Sequence, residues 1–269
     1  MHKRIIKTKI RKFSLESKIL KLKKRDYKYA EKILKKSKQE IKYLSNNFLY
    51  NKKIELSIKC EKILAALETD PEKRVKVIYS IGFSYSLLGE RKTAKKYYKS
   101  AAKSGHVCAI NALGITFIHE RKYDLALKFL ESAWKQGHNL ALHGLGFVYF
   151  KLKKYDLSEK YYKESIQTEP KDYGEKYYKS EAMCDLGLLY ESQNKEELAV
   201  EYYKTGIDYN KHPRSMVQLG KLYQSKGQFD LAENYYQMAV DRDYPPAEYL
   251  LKMLKKTDSD IERMSPDDL

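Results

Sequence analysis

One glycine-bearing pentapeptide recurs five times in this chain, and its spacing leaves few folds open. IGFSY (81–85), LGITF (113–117), LGFVY (145–149), LGLLY (186–190) and LGKLY (219–223) place Gly82, Gly114, Gly146, Gly187 and Gly220 in steps of 32, 32, 41 and 33 residues. Twelve residues after each glycine stands a small residue: Ala94, Ala126, Ser158, Ala199 and Ala232. Four further on come Tyr98, Leu130, Tyr162, Tyr203 and Tyr236, and three beyond those Ala101, Ala133, Ser165, Gly206 and Ala239. A period of this size marks a supersecondary unit that buries its apolar face against its neighbours. Within each half-repeat the apolar residues recur three and four apart, so each unit reads as two helices. Glycine inside a helix costs roughly 1 kcal/mol relative to alanine, and five of them need a steric cause. The spacing predicts that each glycine faces the small residue of the second helix, so that the hairpin can close.

These residues resemble the tetratricopeptide repeat, whose pattern runs LGxxY, a small residue, an aromatic and a second small residue; the resemblance covers about residues 75–245. Second helices such as AKKYYKSAAKSGHVCA (94–109) are also similar to Sel-like repeats, with Sel-like turns at 105 and 137. The resemblance implies an all-α fold, a right-handed α-solenoid of stacked antiparallel helix pairs with terminal capping helices. Residues 72–245 then hold five repeats, and 40–71 a degenerate first repeat in which Ser45 and Ser57 take the glycine and small positions. Residues 1–39 form a basic N-terminal arm or capping helix, 246–256 a C-terminal capping helix after the Pro245–Pro246 stop, and 257–269 an acidic tail. The extra residues of the 41-residue step lie near 170–183 and read as a lengthened turn or helix start.

In this family the first helices line a concave groove. Carried over residue by residue, the groove positions are Tyr79, Phe83 and Leu87, then Asn111, Ile115, Ile118 and His119. His143, Phe147, Phe150 and Lys151 follow, then Cys184 and Leu188, then Arg214 and Lys221. Their apolar centre implies a protein or peptide partner, so the chain reads as an interaction scaffold or adaptor. Some family members clamp a C-terminal carboxylate with Lys and Asn one turn apart. Lys42 and Asn46 match that pair, but Ser80, Cys108 and Ala112 hold the later positions, and that ligand is not expected here.

Charge offers a second reading. The net charge is +17, and residues 1–39 alone hold 16 Lys or Arg against 3 Asp or Glu. A basic arm of this kind binds phosphate backbones or acidic membranes, and the first makes a nucleic-acid-associated protein the alternative, with weak binding through residues 1–39. An accessory or regulatory subunit of a separately encoded enzyme is a third reading. No P-loop, GxSxG or HExxH is present, so no catalysis is expected. Cys60, Cys108 and Cys184 are isolated, which fits a reduced, cytoplasmic protein and leaves no metal or cofactor to expect. His106 and His138 follow Gly105 and Gly137, where each imidazole is expected to meet the last carbonyls of a helix. No apolar run reaches the length of a membrane span.

Overall fold

The computed structural model describes residues 41–42, 45–46, 49 and 53–263; the basic arm and the end of the acidic tail lie outside them. Among the described residues the chain is all-α, without a strand. Ile41, Lys42, Ser45, Asn46 and Leu49 are helical, and α1 (Ile54–Leu67), α2 (Pro71–Leu87), α3 (Arg91–Lys103), α4 (Val107–His119) and α5 (Tyr123–Lys135) follow. Beyond them run α6 (Leu140–Lys151), α7 (Tyr155–Gln167), α8 (Tyr173–Ser192), α9 (Glu196–Asn210), α10 (Pro213–Ser225), α11 (Phe229–Val240) and α12 (Pro245–Arg263). The five repeats are the hairpins α2–α3, α4–α5, α6–α7, α8–α9 and α10–α11.

Local chemistry sets the ends of these helices. Asp70 caps α2, its carboxylate accepting from the amides of Glu72 (2.9 Å) and Lys73 (3.3 Å), with Pro71 in the first turn. Seven residues after each motif glycine the backbone turns left-handed, at Gly89 (φ +77°), Arg121 (+55°), Lys153 (+57°), Asn194 (+58°) and Gly227 (+71°). The next amide then donates to the carbonyl of the motif aromatic, as from Lys154 to Tyr149 at 2.9 Å. This is the Schellman closure of a helix, and it imposes positive φ even where the residue is not glycine. Lys153→Gly is therefore expected to raise stability by roughly 1 kcal/mol, because a left-handed Lys is strained where glycine is not. A denaturation midpoint that stays put or falls would refute that strain.

The turns between hairpins differ from expectation in one respect. Gly105 (φ +80°) and Gly137 (φ +81°) do end α3 and α5. The carbonyls of Ala101 and Ala133 are met, however, by the backbone amides of His106 (3.2 Å) and His138 (3.1 Å). The His106 ring instead stacks on Tyr79, with centroids 4.8 Å apart.

Each hairpin closes on a tyrosine or leucine. A Cβ added at Gly187 would lie 2.5 Å from Cε1 of Tyr203, and one at Gly146 would lie 2.6 Å from Cδ1 of Tyr162. The glycine thus makes room for the bulky side chain sixteen residues later rather than for the small residue twelve later. The small residue meets the backbone instead: Ser158 Oγ donates to the Gly146 carbonyl at 2.8 Å. Ser57 Oγ donates to the Ser45 carbonyl at 3.1 Å over the same interval. A second ring pair spans every hairpin: Tyr85–Tyr97, Phe117–Phe129, Tyr149–Tyr161, Tyr190–Tyr202 and Tyr223–Tyr235, with centroids 5.3–5.6 Å apart.

The chain divides into two compact units, Met1–His138 and Asn139–Leu269. The repeat spacing carries no sign of this division, since the turn after α5 is built like the turn after α3. In the first unit α1 packs on α2, α2 on α3, α3 on α4 and α4 on α5. In the second, successive helices from α6 to α12 pack in order, and the first helix α8 also touches α6 and α10. Its core holds Tyr162, Leu186, Leu189, Tyr203, Leu219, Tyr236 and Leu254. The extra residues near 170–183 become helix: α8 has 20 residues where α6 has 12 and α10 has 13. Asp172 caps it, accepting from the Glu175 amide at 2.8 Å, while Glu175 Oε2 accepts from the Lys171 amide at 2.8 Å. Pro245 and Pro246 begin α12 rather than merely ending the repeat, and the helix runs to Arg263, past the expected boundary at 256 and into the acidic segment.

Candidate partner-binding face

Of the fifteen groove positions, seven fall in the first unit and eight in the second. In the first, Tyr79 is half-buried on α2 while Phe83 and Leu87 are 42% and 50% exposed on the same stripe. On α4, Asn111, Ile115 and Ile118 are half-buried and His119 is exposed at the helix end. In the second unit His143, Phe147 and Phe150 are half-buried on α6, and Lys151 is exposed. The Lys151 ammonium lies over the Phe147 and Phe150 rings, 5.0 and 5.4 Å from their centroids. Leu188 is half-buried on α8, and on α10 Arg214 is half-buried while Lys221 is exposed. Cys184 is the exception. It is fully buried, and burial pushes its thiol up to about 12, so it is an inert core residue rather than part of a groove.

Two of these residues, His143 and Arg214, are joined by acids that sequence reasoning passed over. Arg214 donates through Nη1 to Glu181 Oε2 at 2.6 Å, and its Nη2 lies 2.7 Å from Asp185 Oδ1. His143 Nε2 lies 2.9 Å from Asp185 Oδ2. Tyr177 donates its hydroxyl to Glu181 Oε1 at 2.6 Å, and His212 Nε2 sits 3.3 Å from that same oxygen. The other His212 nitrogen, Nδ1, pairs with Ser215 Oγ at 2.9 Å. The network therefore ties α6, α8 and α10 together side by side.

Its electrostatics follow from that geometry. Burial alone would raise the Glu181 carboxyl, but the nearby His212 imidazole, the bond from Tyr177 and the Arg214 charge outweigh it and hold the group at about 2. Burial acts the same way on Asp185, and the His143 bond with the Arg214 charge brings its carboxyl below the ordinary range. Each carboxylate needs Arg214 as its counter-charge, since an isolated buried ion is costly.

The signal for Glu181 was available. It stands six residues before its glycine, as Arg214 does one repeat later, and Asp185 stands four residues beyond Glu181, on the same face of α8. Among the described residues no group of three or more His, Cys, Asp or Glu side chains is placed to hold a metal ion. No helix among them is long and apolar enough to cross a membrane.

Family models of the tetratricopeptide repeat match residues 138–212 and, separately, 75–104 and 213–244. None of the curated proteins compared matches the chain. Among solved structures, a chain of the APC/C hetero-tetramer Cut9–Hcn1 superposes with a TM-score of 0.64 at 18% identity, over 80% of this chain and 42% of that one. This chain thus spans less than half the length of that relative. PilF of Pseudomonas aeruginosa superposes at 0.53 with 20% identity, over 62% of this chain and 75% of its own. BtubC from P. vanneervenii superposes at 0.52 with 18% identity, over 80% and 91%. At these identities the likeness is one of fold.

Proposed function

Because this chain carries tetratricopeptide repeats, we propose that it is a protein-binding module whose second unit holds a partner segment against α6, α8 and α10. The observation that carries the reading is the network of Arg214, Glu181, Asp185 and His143, which locks three first helices side by side. A face held in advance in one arrangement loses little freedom on binding, so more of the contact energy is kept as affinity. On that face Phe147, Phe150 and Leu188 supply apolar contact and Lys151 and Lys221 supply exposed cations. These features favour a partner segment with a bulky apolar anchor and acidic neighbours.

The test begins with affinity capture from the native host, identification by mass spectrometry and a measured Kd for the purified pair. Phe147→Ala is expected to weaken that Kd at least tenfold, about 1.4 kcal/mol, as for an aromatic at the centre of an interface. Lys151→Glu is expected to act mainly on the association rate. An unchanged Kd in Phe147→Ala would move the interface off this face.

A further inference from the structure

The outer face of α3 concentrates charge of one sign. Lys92, Lys96, Lys99 and Lys103 stand four, three and four residues apart, which sets them in one row along the helix. All four are exposed, and no acid among the described residues pairs with them. Lys95, off the row, is by contrast drawn to Glu120 at 2.6 Å and lies over the Phe117 ring. The helix itself contains no acid.

The row is not simply the lysine richness of the chain. Its positions lie 10, 14, 17 and 21 residues after Gly82, and the same positions in α9 hold Glu197, Glu201, Lys204 and Asp208. The first of the four is acidic in every other repeat, as Asp124, Asp156, Glu197 and Asp230, each in the first turn of its helix. An acid is favoured there by the positive end of the helix dipole, and Lys92 is not. Like charges one turn apart along α3 also repel. A local rule broken at a cost to stability, with no compensating acid, points to a ligand that supplies the missing negative charge.

The surroundings of the row select among anionic ligands. The exposed residues of α3 are Arg91, the four lysines and Ser100, so the face has no apolar centre of the kind a protein interface is built on. The apolar side of the helix, Ala94, Tyr98 and Ala101, is buried in the hairpin, whereas a helix lying in a membrane surface needs that side free. What remains is a polyanion held by charge alone. Eleven residues of helix span about 16 Å, alongside roughly five phosphates of one strand of a duplex.

We propose that the outer face of α3 binds the phosphate backbone of nucleic acid through Lys92, Lys96, Lys99 and Lys103, without reading its sequence. This is a function beyond the partner-binding face, on a different unit and different residues, and it does not depend on that reading.

The experiment titrates the full chain into a fluorescein-labelled DNA duplex of about 24 base pairs, read by anisotropy between about 50 and 200 mM KCl. One variant changes Lys92, Lys96, Lys99 and Lys103 to Gln. A reference variant removes the same charge from the second unit, with Gln at the exposed Lys160, Lys171, Lys204 and Lys252. The basic arm is present in all three proteins, so the differences report the substituted lysines. The α3 variant is expected to bind at least about tenfold more weakly, and its plot of log Kd against log salt to be shallower by about 3–4, since each phosphate contact contributes about 0.9. The reference variant and a duplex of unrelated sequence are expected to stay within about twofold of the parent. An unchanged salt slope in the α3 variant, or an equal loss in the reference variant, would overturn the proposal. So would poly-L-glutamate or phosphatidylserine vesicles whose binding depends on the four lysines more strongly than that of the duplex, because the partner would then be an acidic protein or a membrane. Without DNA, the α3 variant is expected to show a higher urea midpoint than the parent, as repulsion is relieved. A lower midpoint would assign the row to the fold and leave no ligand to infer.

Discussion

Arg214→Ala is expected to destabilise the second unit by about 3–5 kcal/mol, because it strips the counter-charge from two buried carboxylates at once. Asp185 is 7% exposed and the Glu181 side chain 13%, so water replaces the guanidinium poorly. Removing one member of such a network costs more than removing all of it. Arg214→Met combined with Glu181→Gln and Asp185→Asn is therefore expected to be less damaging than Arg214→Ala alone. Acid provides a second readout. Both carboxyls are held below their ordinary values of 4.5 and 3.8, so their contribution is fully present above those values. It is lost as pH falls toward the 2 at which Glu181 titrates in the folded protein. Urea midpoints measured from pH 5 down to 2 are expected to fall in the parent and to fall much less in Arg214→Ala. A parent-like slope in that variant would mean that Arg214 is not what holds the two carboxyls down.

The second large effect is expected from Gly187→Leu, at about 2–3 kcal/mol, in the upper part of the range for overpacking a core. The ring of Tyr203 lies where the new Cβ would go, at 2.5–2.7 Å from Cε1 and Cδ1. It has nowhere to retreat. Tyr203 is fully buried, and its hydroxyl donates to Glu191 Oε2 at 2.6 Å, so both ends of the side chain are held. Gly187→Ala is expected to cost less, because alanine gains about 1 kcal/mol over glycine in a helix and offsets part of the clash. Trimming the ring should relieve it. Gly187→Leu made in a Tyr203→Ala background is expected to add little further loss. Full additivity of the two changes would show that glycine and tyrosine do not meet across the hairpin.

Much of this architecture was legible in the spacing alone. A glycine, a small residue and a bulky ring at fixed intervals require a tightly closed helical hairpin whatever surrounds it, because the constraint is local in the chain. The partner of the glycine was not legible, since two candidates stood within one turn of each other. Only the packing shows the ring over the glycine and the serine hydroxyl on its carbonyl, as with Gly146, Tyr162 and Ser158. Turn conformation divided in the same way. Gly89 and Gly227 announce a left-handed residue, whereas Arg121, Lys153 and Asn194 adopt it because the helix closure demands it.

The candidate sites show where periodicity stops being informative. Helical spacing placed His143, Phe147 and Lys151 on one stripe of α6 and Arg214 on α10, which follows from 3.6 residues per turn. Which charges meet across helices depends on how α6, α8 and α10 lie against one another; the matching repeat positions of Glu181 and Arg214 hint at it, but no interval along the chain fixes it. Glu181 and Asp185 therefore looked like ordinary surface acids on a lysine-rich chain until the structure set them against Arg214. Glu61, in the run CEKILAAL, was hidden for the same reason. Its residue type predicts solvent, and only the meeting of α1 with α2 buries it beside Ser80 and Ser84. The sequence by itself determined the hairpins and their number, because those rest on local sterics. Tertiary packing alone decided which polar groups were shut away from water, because that depends on how separate helices meet.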